Sequence, residues 1–166
     1  MTNNKKVTQG FSLIEVLIAL IVLSVGLLGL ANLQGQSISS SYNAHLRTQA
    51  TSLARNVIDR MRANRTLAAE TESYQTDFET PPEDGLDCSS NNCDAADIAK
   101  YDLKEWKCNL GMYSDEPICA GLVSQVTLPN GEGQIESEDA TGQTKVTVRW
   151  TDTAGAEHRV VMFTSI

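Results

Sequence analysis

No charged residue occurs between Val16 and Ala31, where Leu, Ile, Val and Ala dominate. At 1.5 Å per residue that run makes about 24 Å of helix. Extended back to Phe11 it makes about 31 Å, enough to cross the hydrocarbon core of a membrane. Beyond it the apolar residues narrow to one stripe. Leu46, Ala50, Leu53, Val57 and Met61 recur at steps of four, three, four and four, while Thr48, Gln49, Ser52, Arg55 and Asn56 fill other faces. The first proline is Pro81. The pattern therefore predicts one near-continuous helix from about residue 11 to about residue 66. Gly26, Gly29 and Gly35 lower helix propensity within it. They fit local bending, close helix packing, or glycines merely tolerated in a membrane helix.

From Thr71 to Asn92 the chain is polar and rich in Pro and Asp, which reads as a loop. Asp94, with Asp97 three residues on, can cap a new helix. Ala99, Leu103, Trp106 and Leu110 form its apolar stripe, giving a helix from about 94 to 109. The last third alternates. Val146, Val148 and Trp150 interleave with Lys145, Thr147, Arg149 and Thr151, the signature of a half-buried strand. A turn at Asp152-Thr153-Ala154-Gly155 leads to a partner strand, Arg159 to Ile166. Leu122 to Leu128 and Gly133 to Ser137 read as an earlier pair joined around Pro129-Asn130-Gly131. The expected fold is α+β: a long N-terminal helix covering one face of a four-stranded antiparallel sheet.

Composition adds compartment and charge. The chain has 166 residues, one domain plus an appendage, with 13 basic and 21 acidic side chains for a net charge of -8. An acidic chain repels phosphate backbones, so nucleic acid is not an expected partner. Arg55, Arg60, Arg62 and Arg65 cluster locally, which reads as a solvated helix face or an anion-binding patch. Cys88, Cys93, Cys108 and Cys119 all follow the apolar run. An even number on one side of a membrane segment points to disulfides in an oxidising compartment. Zinc is the competing reading, but its usual close cysteine pairs are missing and His45 and His158 are remote in sequence. Because the helix at 94–109 separates the cysteines, sequence-local pairing is expected: Cys88 with Cys93 and Cys108 with Cys119. No metal and no cofactor is expected. Nor do the scattered carboxylates and the two histidines suggest a convergent catalytic site, so no enzyme activity is expected.

The N-terminal chemistry is the most specific. Lys5 and Lys6 precede the apolar run and place the N-terminus in the cytoplasm. Gly29-Leu30-Ala31 offers a secretory cleavage pattern. Against it, Glu15 sits inside the apolar run, where a lone carboxylate is costly and marks function unless it snorkels to the interface. Helical sequence also continues far past that site. The stretch Gln9-Gly10-Phe11-Ser12-Leu13-Ile14-Glu15-Val16-Leu17-Ile18-Ala19-Leu20 closely resembles the class III signal of type IV prepilins.

That resemblance implies a fold of long helix plus packed antiparallel sheet, and a processing route. A prepilin peptidase would cut between Gly10 and Phe11, and the new amine on Phe11 would be methylated. Residues 1–10 would be a cytoplasmic leader, 11–33 the transmembrane and assembly half of the helix, and 34–166 a periplasmic globular domain. Loss of Lys5 and Lys6 takes the side-chain charge from -8 to -10. A charged amine in an apolar bundle needs an anion, and Glu15 would supply it within the subunit or from a neighbour.

Three further blocks resemble minor pilins of the PilV kind: Asp102-Leu103-Lys104-Glu105-Trp106, Leu128-Pro129-Asn130-Gly131-Glu132-Gly133 and Val148-Arg149-Trp150-Thr151-Asp152. On that resemblance the partners would be prepilin peptidase, the major pilin, other minor pilins and the inner-membrane assembly platform. The chain would start in the inner membrane and end in a pilus at the cell surface. A minor pseudopilin of type II secretion has the same physics. A monomeric membrane-anchored binding or adhesion domain is the reading from another class.

Overall fold

The computed structural model describes residues 10, 12–70, 72–123, 128–138 and 142–166. Helix α1 runs Leu13–Ala63 and a short α2 follows at Arg65–Glu70. Helix α3 spans Ala95–Leu110, and a single 3₁₀ turn spans Pro117–Cys119. Strands β1 (Glu132–Glu138), β2 (Gln143–Thr151) and β3 (Glu157–Thr164) form one antiparallel sheet in the order β1-β2-β3. Two compact units result, one reaching to Tyr42 and one running from Asn43 to Ile166. In the first, the residues from Leu13 to Tyr42 are helix and all exposed.

The second unit holds the core. Leu46, Ala50, Val57 and Met61 of the expected stripe are buried, with Leu53 partly so, and Ala54 and Ile58 join them. They pack with Ile135, Val146, Val148 and Trp150 from the sheet and with Ala99, Trp106 and Leu110 from α3. Asp94 caps α3 as its pattern predicts, accepting a bond from the Asp97 N–H at 2.9 Å. Gly111 ends the helix at φ 124°, a conformation glycine alone adopts easily. Near the expected end of the long helix, Asn64 separates α1 from α2. Its side chain donates to the Ala95 carbonyl at 2.7 Å and to the Tyr74 hydroxyl at 3.3 Å, tying the break to the start of α3.

Three strands are present among the described residues, where the pattern predicted four. The expected first strand, Leu122 to Leu128, falls largely on residues 124–127, which lie outside those described. Leu122 is in a turn, and Leu128 is buried at the start of a tight turn, its carbonyl accepting from the Gly131 N–H at 3.2 Å. The edge of β1 that this strand was to pair is met by the loop instead. Thr76 exchanges both backbone bonds with Ile135, at 2.9 and 3.1 Å.

Candidate functional site

Gly10 is exposed, while Phe11 and residues 1–9 of the expected leader lie outside the described residues. Glu15 occupies the first turn of α1, with its N–H bonded to the Ser12 carbonyl at 3.0 Å. A carboxylate there faces the positive end of the helix dipole, worth roughly 0.3–1 kcal/mol at an exposed site. At 100° per residue, Ala19, Val22, Gly26 and Gly29 fall on the same face as Glu15. A side chain built at Gly26 or Gly29 would meet nothing within 4 Å, so bare backbone is open on that face. The only hydroxyl between Leu13 and Leu33, that of Ser24, donates to the Leu20 carbonyl at 2.7 Å, so it needs no water. α1 contains an 18-residue window of mean hydropathy 2.7, none of it buried, long and apolar enough to cross a membrane.

All four cysteines are paired, Cys88 with Cys93 and Cys108 with Cys119. Among the described residues no group of three or more His, Cys, Asp or Glu side chains could hold a metal ion. The Cys108–Cys119 bridge is buried and fastens the end of α3 to the 3₁₀ turn. Cys88 and Cys93 are half-buried in a loop stiffened by Asp87, whose carboxylate accepts from Ser89 and Ser90. Loop-closure entropy assigns about 2 kcal/mol to the shorter bridge and about 3 kcal/mol to the longer. Graded reduction of the folded chain followed by alkylation and peptide mapping should open Cys88–Cys93 first. Equal labelling of all four thiols at low reductant would contradict this order.

The three blocks that resembled minor pilins meet in one place. Trp106 is buried and its indole N–H donates to the Leu53 carbonyl of α1 at 3.0 Å. Gly133 lies under that ring, where a Cβ would overlap Trp106 and Leu110. Gly131 backs onto the Leu110 carbonyl with the same lack of room. Thr151 donates its N–H to the Pro129 carbonyl at 3.0 Å, which fixes the turn to the end of β2. Beside them Asp102 accepts from Arg60 and from the Tyr74 hydroxyl, both at 2.8 Å, and Arg60 also reaches Glu105 at 3.0 Å. This network was not legible in the sequence. Arg60 and Tyr74 lie 42 and 28 residues from Asp102, and neither falls in the three blocks.

Lys107 is the other buried charge. Its ammonium donates to the carbonyls of Asp77 and Thr80, pinning the loop that bridges β1. Burial pushes it down to about 8, while the charges of Glu132 and Asp77 pull the other way. An unfolded lysine titrates near 10.5. Between those values the unfolded chain holds the proton more tightly, so stability rises with pH from about 8 toward 10.5 and is lost as pH falls back through 8. Above pH 10 Tyr74 works against this, because burial and its bond to Asp102 raise its phenol. Urea unfolding of a fragment starting at Gln34 should therefore gain stability between pH 8 and pH 10, up to about 3 kcal/mol. Lys107→Met should flatten that slope. An unchanged slope would mean that Lys107 keeps its ordinary titration.

The two histidines play no joint role. His45 is exposed, whereas His158 stacks on Trp150 with centroids 5.6 Å apart and bonds Asp152 at 2.9 Å. That bond holds the Asp152 carboxyl below its usual range.

Comparison with known families matches two consecutive parts of the chain. Residues 5–31 match the prokaryotic N-terminal methylation motif, and residues 32–104 match a family described as type IV pilin Tt1218. No curated protein and no solved structure matches the chain. The methylation motif implies processing by prepilin peptidase and assembly with other pilins. With that motif at the head of an exposed apolar helix and a pilin match running on into the folded unit, the chain is a type IV pilin.

Proposed function

We propose that the chain is a minor pilin of a type IV pilus, of the PilV kind, that helps prime filament assembly and so supports pilus-dependent motility or adhesion. One observation carries this reading. From Leu13 to Tyr42 every side chain of α1 is exposed, although its first twenty residues are nearly all apolar. The unit from Asn43 onward closes its own core. A helix that is hydrophobic on all sides needs lipid or other helices around it. It has lipid before assembly and other subunits afterwards. The globular unit then chooses neighbours while the apolar half supplies most of the attraction. The PilV-like blocks support the subtype by resemblance, and they fall at the packed junction of α3 with the sheet.

Cleavage after Gly10 with methylation of Phe11 is the first expected result. Mass spectrometry of the N-terminal peptide from extracted membranes should find a chain that begins at methylated Phe11. A chain beginning at Asn32, or one that keeps Lys5 and Lys6 in wild-type cells, would defeat the reading. Deleting the gene should lower pilus number and surface motility while the major pilin is still made. Pilus counts and type II secretion are to be measured in the same strain. Normal piliation with failed secretion would assign the chain to the secretion machine. Normal values for both would favour a lone anchored binding domain.

A further inference from the structure

The sheet has two edges, and they are treated differently. Along β1, Thr76 bridges Ile135 and Gln75 donates to the Ser137 hydroxyl at 3.2 Å, so the loop covers that side. Along β3 no strand pairs among the described residues. β3 also lacks the usual protection of an edge. Residues 160–166, Val-Val-Met-Phe-Thr-Ser-Ile, carry no charge and no proline in a chain that is 20% charged. Val161 and Phe163 stand on the face away from the core, 39% and 54% exposed. An unpaired apolar edge of this kind is a template for another strand.

A second copy would pair at this edge only with its folded unit reversed. Arg62 near the end of α1 donates to Thr164 at the end of β3, at 3.0 Å. Ala44 and Arg47, within about one turn of the start of this unit, line one hollow with His158 and Arg159 at the start of β3. The stretch of α1 in this unit therefore runs in the same direction as β3. Joining β3 to its own copy across a two-fold axis makes the strands antiparallel. That would set the α1 stretch of one folded unit antiparallel to that of the other. Continuing the sheet from β3 onto the β1 edge of a second copy is blocked by Thr76. Side-chain charge adds a condition. Arg149 and Arg159 lie directly opposite in the register, an unfavourable pair; Glu132 bonds Arg149, and the charge of Glu157, on the same face of β3, also acts on Arg149. A carboxylate on the far side of β3 would balance Arg159.

We propose that the free edge of β3 is completed by an apolar strand from a different pilin-class subunit, which sets a carboxylate beside Arg159 and apolar side chains beside Val161 and Phe163. This rests on the reading of the chain as a membrane-anchored subunit that assembles with other pilins. The test places p-benzoylphenylalanine at position 161 or 163 of the full chain, with position 154 in the exposed β2–β3 turn as control, and irradiates intact cells. Positions 161 and 163 should give adducts with one other subunit bearing the methylation motif, about tenfold above position 154. Arg159→Glu should lower the yield at 161 by about tenfold. Phe163→Lys should do the same at 161 without altering protease resistance, since the side chain is exposed. Adducts with a second copy would overturn the choice of occupant, and yields equal to position 154 would overturn the edge itself. Should the chain keep its leader and be absent from sheared filaments, the minor-pilin reading fails. The adducts in the membrane fraction would still decide the edge.

Discussion

Replacing Glu15 with alanine should leave removal of the leader largely intact and lower recovery of the subunit in sheared filaments by about 10²–10⁴-fold. At the proposed site the peptidase would cut on the polar side of the helix, five residues before Glu15, so the bond it attacks would be unchanged. Assembly is different. The proposed cut would create an amine at Phe11 that has to enter an apolar bundle, and within the first two turns of the helix Glu15 is the sole carboxylate. Removing one partner of a buried pair leaves a lone charge and costs about 3–5 kcal/mol. Glu15→Gln separates charge from shape. It keeps the volume and the hydrogen-bonding length, so it should fail nearly as badly as alanine if the carboxylate neutralises the amine. Immunoblots of sheared filaments against whole cells give the recovery, and gel mobility gives the processing. Wild-type recovery of Glu15→Gln would remove the role assigned to this charge.

The contrast between the two ends of α1 explains what the sequence could disclose. Periodicity alone located the stripe from Leu46 to Met61, since an amphipathic helix must bury one face and the spacing of its apolar residues records which. The cap at Asp94, the turn at Asp152 and the hairpin of β2 with β3 were legible for the same reason: each rests on residues adjacent in the chain. The supposed strand from Leu122 to Leu128 looked equally good by alternation. Most of it, residues 124–127, lies outside the described residues, and at Ile135 the β1 edge is met by Thr76, from a loop with no strand pattern. Lys107 was equally hidden. A lysine on the helix from 94 to 109 reads as solvated, yet it is 2% exposed because the carbonyls of Asp77 and Thr80 take its charge. Contacts made by loop backbone leave no signal in side-chain patterning. For the processing site the position is reversed. Its expected place, between Gly10 and Phe11, rests wholly on a short string of residues, and Phe11 lies outside the described residues.

Trp106→Ala should destabilise the globular unit by about 3–5 kcal/mol, the usual cost of emptying a large buried aromatic site. The ring is 1% exposed and lies between α1, to which its N–H is bonded, and Gly133 of β1. Against a typical domain stability of about 5–15 kcal/mol, that loss is enough to lower the amount of folded subunit in the cell. Trp106→Phe keeps most of the volume and forfeits one hydrogen bond, so about 1–2 kcal/mol is expected. Gly133→Ala tests the same contact from the other side. Its Cβ would overlap the indole and Leu110, so alone it should cost about 1–3 kcal/mol through overpacking. In the Trp106→Ala background that overlap with the indole is gone, and the added methyl begins to fill the cavity. The double variant should then be no less stable than Trp106→Ala alone, a coupling of about 1–3 kcal/mol in a double-mutant cycle. Urea unfolding of the fragment from Gln34 onward measures all four proteins. Additive losses would mean that Trp106 and Gly133 are held apart by the rest of the core, and that glycine is not required there by the ring.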